Sequence, residues 1–173
     1  LMAYSQALGF TNTMATNATL VDDDVARRLQ QYGLVIAAVS LDGLDAATHD
    51  YVRNQPGAFE AALRGIQALR RAGILLHINI TVMEHNLDQV EALTDLVDEL
   101  GTGILLMYQL VPVGRGRAVG QAALDLSANE RLIRFIAQAQ RTTRAIMEPV
   151  AGPQYWPFLL QRAGIRTGPL LSL

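Results

Sequence analysis

The feature that most constrains this chain is a unit that occurs three times, in which a helix-type segment is followed by a glycine and then by an apolar strand. The helical spacing of apolar residues covers 22–32, 57–71 and 86–100, and the strands cover 34–40, 74–82 and 104–110. An earlier strand lies near 10–16, and a last helix runs from Ser127 to about residue 144. Successive strand–helix–strand units with short connections predict a parallel sheet.

We therefore predict an α/β fold, an arc of a (β/α) barrel with about four parallel strands and outer helices. A doubly wound open sheet is the alternative, since alternation alone does not distinguish the two. In both folds the functional site lies at the carboxyl ends of the strands. The predicted barrel occupies residues 1–145, and residues 146–173 form a C-terminal tail towards a further domain.

Residue patterns also predict where three of the helices begin. Asp22 is the expected N-cap of the first helix. Asn86 with Gln89 resembles a capping box, and Ser127 with Glu130 predicts another.

Composition excludes several classes of protein. Of the 173 residues, 50% are hydrophobic and 17% are charged, with a net charge of -2, which argues against a nucleic-acid surface. The sequence has no apolar run near the ~20 residues that cross a bilayer and no start typical of a signal peptide, so we expect a cytoplasmic protein without a membrane partner. Because the chain has no cysteine, it contains neither a disulfide nor a thiolate ligand for zinc or an iron–sulfur cluster.

Polar side chains gather on one face of the predicted sheet. His77, Asn79 and Thr81 alternate with apolar residues, so they point to the same side of their strand. Inside a barrel, each unpartnered polar group costs about 1 to 3 kcal/mol, so a ligand is expected to satisfy them. A solvated sheet face, or a histidine bonded to its neighbours, is the alternative. Ser40 and Asp42 follow the same logic on the preceding strand, as do Thr16 and Asn17 at the end of the first strand.

Five motifs occur in a fixed order along the chain. They are TNATL (16–20), VSLDG (39–43), the set His49, Asp50 and Arg53, INITV (78–82) and VPVGRGR (111–117). In this order and spacing, the chain resembles the radical S-adenosylmethionine enzymes over roughly residues 1–120. The resemblance is strongest to the branch with a cysteine-rich C-terminal cluster domain, which includes peptide maturases, sulfatase maturases and enzymes of heme and heme d1 biosynthesis. The VPVGRGR string favours the heme-related members.

The resemblance implies a role for each candidate site residue. Ser40 would contact the ribose or the methionine portion of S-adenosylmethionine, and Arg53 would pair with its carboxylate. Val111 would hold the adenine through its main chain. The remaining residues, which would line the same cleft, are Thr16, Asn17, Asp42, His77 and Asn79. Asp42 has an equal alternative as a loop cap beside Gly43.

The resemblance also implies the chemistry and the partners. Family members use a [4Fe-4S] cluster on a Cys-x-x-x-Cys-x-x-Cys loop to cleave S-adenosylmethionine into a 5'-deoxyadenosyl radical that abstracts hydrogen from a substrate. The chain would supply the third to sixth strands of a six-unit barrel, so we expect an interior fragment whose cluster ligands lie outside it. The implied partners are a peptide or small-molecule substrate and an electron donor such as ferredoxin or flavodoxin.

Two other functions remain open at this stage. A barrel lyase or isomerase would need an acid–base pair, for which Glu84 and His85 are the candidates. A barrel domain without a cluster could instead bind a peptide through the aromatic residues of 155–158.

Overall fold

Five parallel strands form one sheet in the order β1–β2–β3–β4–β5. The structure is a computed structural model that describes residues 1–114, 117, 120 and 122–162. The strands are β1 (Asn12–Thr16), β2 (Leu34–Ser40), β3 (Leu75–Val82), β4 (Ile104–Gln109) and β5 (Ile146–Val150). Each strand neighbours the next one in the chain, whereas a doubly wound sheet reverses its order at a switch point. The α/β barrel arc is therefore confirmed, and the doubly wound alternative is wrong.

Seven α-helices accompany the sheet within the described residues. They are α1 (Met2–Ala7), α2 (Asp23–Gln31), α3 (Ala46–Arg53), α4 (Ala58–Arg71), α5 (Val90–Leu100), α6 (Leu126–Ala139) and α7 (Tyr155–Arg162). The predicted N-cap of α2 is confirmed, because the Asp22 side chain accepts a hydrogen bond from the Val25 N–H. Gly33 and Gly101 follow α2 and α5 with φ of 78° and 65°, the left-handed conformation that glycine adopts without strain.

The segment predicted as a tail contributes to the sheet. β5 pairs with β4, so the sheet has five strands rather than about four. Asp98 near the end of α5 holds the start of β5, because its carboxylate accepts hydrogen bonds from the hydroxyl of Thr143 and the N–H of Ala145. Periodicity missed β5 because Glu148 and Pro149 interrupt its apolar pattern. α6 also begins earlier than predicted, since its N-cap is Asp125 and not Ser127.

The two faces of the sheet have different surroundings. On β3, Ile78, Ile80 and Val82 are fully buried in the hydrophobic core that the helices cover. The alternate residues of β3 are exposed or half-buried on the opposite side, which we call the open face. This alternation places the polar row of the sequence on the open face, as predicted.

We find no helix in the described ranges that has both the length and the hydropathy for a membrane span.

Candidate functional site

One layer of side chains crosses the open face from β2 to β5. The strand register pairs Ser40 with Asn79, Asn79 with Leu106, and Leu106 with Glu148. Residues paired in a parallel register point to the same side of the sheet, and neighbouring strands lie about 4.8 Å apart, so the layer is about 14 Å long. The Asn79 Oδ1 is buried and accepts no hydrogen bond from any described residue. His77 lies one layer below Asn79 on the same face.

An ion pair lies at the rim above β2. Asp42 is fully buried, and its Oδ1 accepts a hydrogen bond of 2.8 Å from the Thr81 N–H, which ties the end of β2 to β3. Its Oδ2 lies 2.5 Å from a terminal nitrogen of Arg53, as an ion pair without the alignment of a hydrogen bond. The Arg53 side chain is 32% exposed, and its Nε is buried without a partner among the described residues. Asp42 therefore holds the guanidinium in place and leaves one N–H unused.

His49 completes this group from the same helix as Arg53. The imidazole is buried, and its Nδ1 accepts a hydrogen bond of 3.0 Å from the Asp42 N–H. Burial lowers the pKa of His49, although the nearby Asp42 carboxylate acts in the opposite direction. The ring is therefore neutral near pH 7, and because Nδ1 is an acceptor, Nε2 carries the hydrogen. The Nε2 atom is buried and has no partner among the described residues.

Asp50, next to His49, fixes α4 against α3. Its carboxylate accepts hydrogen bonds from the N–H groups of Gly57, at 2.6 Å, and Phe59, at 2.8 Å. These N–H groups belong to the first turn of α4, which otherwise has no partners for them. The neighbouring residues His49 and Asp50 thus connect α3 to the end of β2 and to the start of α4.

Asn86 and Gln89 support the loop that carries Asp42, and the capping box predicted for them is wrong. The Asn86 side chain is fully buried and donates hydrogen bonds to the carbonyls of Asp42 and Thr81. The Gln89 side chain accepts a hydrogen bond from the Leu44 N–H and donates one to Asp45. The spacing of the two residues imitates a cap, but both side chains bind a loop about 45 residues earlier in the chain.

A cleft of about 680 Å³ lies beside the ion pair, at the rim of the sheet. Its walls include Asn17 after β1, His49 and Arg53 of α3, and Gly57 before α4. Two residues that line the cleft therefore carry a buried N–H group without a partner among the described residues, His49 at Nε2 and Arg53 at Nε. Such a wall fits an acceptor with two oxygens, such as a carboxylate.

The turn after β1 uses a strained residue. Ala18 is fully buried with φ of 56°, a left-handed conformation that is costly for any residue with a Cβ. Side-chain acceptors stabilise the turn, since Thr16 Oγ1 accepts from the Ala18 N–H and Asn17 Oδ1 accepts from the Thr19 N–H. This arrangement is how the chain forms the turn at Asn17–Ala18 without a glycine.

The eight predicted site residues fall into separate groups. Ser40, His77 and Asn79 share the open face, Asp42 and Arg53 form the ion pair, and Asn17 borders the cleft. Two others lie apart from them. Thr16 pairs in register with Val39, whose side chain is buried in the helix-covered core, so Thr16 points away from the open face. Val111 is 51% exposed beyond the end of β4.

Part of the loop motif after β4 is not described. Arg115 and Gly116 of the VPVGRGR string lie outside the described residues. A binding role for any of the eight residues stays a prediction.

The acid–base pair considered from the sequence does not assemble among the described residues. Glu84 Oε1 accepts a hydrogen bond from the Asp125 N–H, whereas His85 packs its ring edge-on against Tyr51, with centroids 5.1 Å apart. The two side chains are thus engaged with different partners.

The aromatic residues near the C-terminus mostly pack. Tyr155 is buried, and Phe158 lies beneath the guanidinium groups of Arg134 and Arg162. Only Trp156 of these three aromatic residues is strongly exposed, at 60%. Packing therefore explains more of this segment than a peptide-binding patch does.

Sequence reasoning missed two residues of the site. His49 belongs to one of the sequence motifs, but the sequence predicts no role for it. Its free N–H is evident only from the structure, in which the ring is buried and only Nδ1 has a partner. Glu148 was missed together with β5. It is exposed on the open face, at the far end of the layer that begins with Ser40.

The resemblance implies two cofactors, S-adenosylmethionine and an iron–sulfur cluster, and the residues present fit only the first. The unused N–H groups of His49 and Arg53 suit the carboxylate of S-adenosylmethionine, and the free Asn79 Oδ1 suits a hydrogen-bond donor. An iron–sulfur cluster requires thiolates, and the chain has none. The described residues also contain no group of three or more His, Asp or Glu side chains that could hold a metal ion.

Comparisons with known proteins identify relatives. The sequence model of the Radical SAM superfamily matches residues 1–97. An AdoMet-dependent heme synthase of Nitratidesulfovibrio vulgaris is 33% identical over 163 residues, which are 94% of this chain and 44% of that protein. The mycofactocin maturase MftC of Mycolicibacterium smegmatis is 32% identical over 120 residues, or 69% of this chain and 30% of that protein. The chain thus spans less than half the length of these relatives.

Solved structures share the fold. SuiB of Streptococcus suis, in a crystal structure bound to S-adenosylmethionine, superposes with a TM-score of 0.71 and 17% sequence identity. The match covers 97% of this chain and 38% of SuiB. At this level of identity, the similarity shows the architecture alone.

Proposed function

The chain belongs to the radical SAM superfamily, and we propose that it forms part of an enzyme that reductively cleaves S-adenosylmethionine at a [4Fe-4S] cluster. The family match over residues 1–97 is the observation that carries this proposal. The cleft with its two unused N–H groups supports it, because it matches the carboxylate that S-adenosylmethionine presents.

Each residue has a role in this proposal. Arg53 binds the carboxylate of S-adenosylmethionine through its free N–H, while Asp42 keeps the guanidinium oriented. Ser40 contacts the ribose or methionine portion from the end of β2, and Asn17 borders the same cleft. His77 and Asn79 face the cofactor or the substrate from the open face. Thr16 acts through the turn that positions Asn17, and Val111 contacts the adenine from the loop after β4.

When bound, S-adenosylmethionine would supply a 5'-deoxyadenosyl radical, with methionine as the leaving group, on accepting one electron. The thiolates that hold the cluster come from protein segments outside this chain, because the chain contains no cysteine. The proposal includes an electron donor such as ferredoxin or flavodoxin. It also places the enzyme in the cytoplasm, the reducing compartment in which such a donor is maintained.

The relatives support a proposal for the substrate class. We propose a heme-like tetrapyrrole first, since heme synthases of two genera match more than 90% of this chain at 32% to 33% identity. Maturation of a peptide is the second candidate, because MftC has nearly the same identity over a shorter part of the chain.

Substitution of Arg53 tests the proposed cofactor site. In the cluster-loaded full-length protein, Arg53→Ala should weaken binding of S-adenosylmethionine about tenfold and leave the iron–sulfur absorbance unchanged, because a charge-assisted bond is lost. Arg28→Ala, which changes an exposed arginine on α2, is the matched control. Arg53→Lys keeps a charge for Asp42 but loses the planar fork, so it should also bind weakly while it folds normally. Affinity equal to wild type in both Arg53 variants would remove Arg53 from the site.

A further inference from the structure

We propose that His49 donates its Nε2–H to the carboxylate of S-adenosylmethionine, as a second donor beside Arg53. The inference rests on the proposed function and adds a binding residue to it. Its starting point is the buried imidazole whose one nitrogen is used inside the protein and whose other nitrogen has no partner among the described residues.

The free nitrogen of His49 has a defined chemical character. Nδ1 accepts the Asp42 N–H, so the neutral ring must carry its hydrogen on Nε2, and Nε2 is a donor. A buried donor without an acceptor is unfavourable, and a ligand oxygen in the cleft would satisfy it. His49 is one of the residues that line this cleft.

His49 and Arg53 are placed to act on one ligand group. They are four residues apart on α3, so their side chains lie on the same face of the helix one turn apart. Both offer an N–H, and a carboxylate has two oxygens to accept them. The Asp42 carboxylate already lies at a terminal nitrogen of Arg53, which leaves Nε free for the ligand.

The start of α4, which also borders the cleft, does not compete for this role. Its Gly57 and Phe59 N–H groups are occupied by the Asp50 carboxylate. These two N–H groups are therefore satisfied inside the protein, whereas the side-chain donors of α3 remain for an anionic ligand.

Two substitutions separate binding from a merely structural role. His49→Asn keeps an acceptor near the position of Nδ1, for the Asp42 N–H, and removes the Nε2 donor. His49→Gln keeps a donor near the position of Nε2 and loses the acceptor. If His49 binds the carboxylate, His49→Asn weakens the affinity for S-adenosylmethionine and His49→Gln largely restores it. If His49 only supports Asp42, His49→Asn resembles wild type.

The measurement is equilibrium binding of S-adenosylmethionine, and of its decarboxylated analogue, to the cluster-loaded full-length protein. We expect His49→Asn to lower the affinity for S-adenosylmethionine about tenfold and to leave the affinity for the analogue within about twofold of wild type. His85→Asn is the control, because His85 Nε2 is also buried without a partner but does not line the cleft.

The outcomes separate the two proposals. Wild-type protein that binds neither compound would overturn the proposed function and this inference together. If His49→Asn binds S-adenosylmethionine with the same affinity as wild type, the role of His49 is overturned and the proposed function still stands. An equal loss for S-adenosylmethionine and its analogue would also overturn it, because the contact would then not involve the carboxylate.

Discussion

At the scale of single residues, Asp42 combines contacts that converge on one buried carboxylate. Its Oδ1 accepts a hydrogen bond from the Thr81 N–H, and its Oδ2 faces Arg53. Its own N–H donates a hydrogen bond to His49 Nδ1. Removing a charge from a buried pair leaves the partner without compensation, which costs more than the pair contributes. The stability of the fold and the orientation of Arg53 therefore depend on the same side chain.

Asp42→Asn should lower the free energy of unfolding by about 2 to 3 kcal/mol. The asparagine still accepts the Thr81 N–H, but its amide group would face the Arg53 guanidinium without a negative charge. The one-third exposure of Arg53 reduces the loss below that of a fully buried pair. Urea denaturation of the full-length protein measures it, with Asp24→Asn in the exposed Asp24–Arg27 pair as the control. Equal stability of the two variants would contradict the prediction.

The sequence predicted part of this residue network and missed the rest for a physical reason. Strand alternation placed Ser40, His77 and Asn79 on one face, because a parallel strand has a period of two. The pairing of Asp42 with Arg53 and the free nitrogen of His49 depend on how α3 folds back over β2, and α3 has no strong apolar periodicity of its own. Sequence patterns therefore placed the residues near the site but did not give their partners.

At the scale of secondary-structure elements, α4 lies close to the turn after β1. Gly65 faces Ala18, and a Cβ at Gly65 would collide with the carbonyl oxygen of Ala18. The left-handed backbone of Ala18 approaches α4 closely at Gly65, where the helix has no side chain in the way. This contact fixes the turn that carries Asn17 at the edge of the cleft.

Gly65→Ala should destabilise the protein by about 1 to 3 kcal/mol, although alanine is the better helix former. The backbone of the turn has to move, so the variant should also bind S-adenosylmethionine more weakly. Thermal denaturation measures the first effect, and equilibrium binding measures the second. Gly103→Ala is the control, because a Cβ there meets no atom within 4 Å and the residue does not have a positive φ. A stability gain in Gly65→Ala would show that the turn is not held by this contact.

Local sequence patterns predicted which helices and strands form better than they predicted where each one begins and ends. The strand 34–40 and the helix over 57–71 agree closely with β2 and α4, because each has a clear period and a glycine at its boundary. Asn86 and Gln89 misled the prediction, since side chains that suit a helix N-terminus also suit a distant loop. β5 has Glu148 and Pro149 among five residues, so it is visible only through its pairing with β4.

At the scale of the whole molecule, the described sheet has two outer strands. β1 and β5 each pair on one side only, so each presents backbone groups that can bind another strand. Pro149 makes β5 less able to pair with a further strand, because proline has no N–H to donate. β1 has no proline, and the residues before it include the exposed apolar side chains Leu1, Tyr4, Leu8 and Phe10. Association of the isolated chain is therefore expected through β1.

A preparation of residues 1–173 alone should self-associate, and Thr13→Lys should reduce this, because a lysine on an edge strand opposes strand addition. Thr13 is an exposed residue of β1, so the lysine would not disturb the core. Gln138→Lys adds the same charge on the outer surface of α6 and should leave association nearly unchanged. Light scattering after size-exclusion chromatography measures the mass of each variant over a range of concentrations. A monomeric wild-type chain that melts cooperatively would contradict the prediction, and an equal effect of both lysines would assign association to net charge instead of the β1 edge.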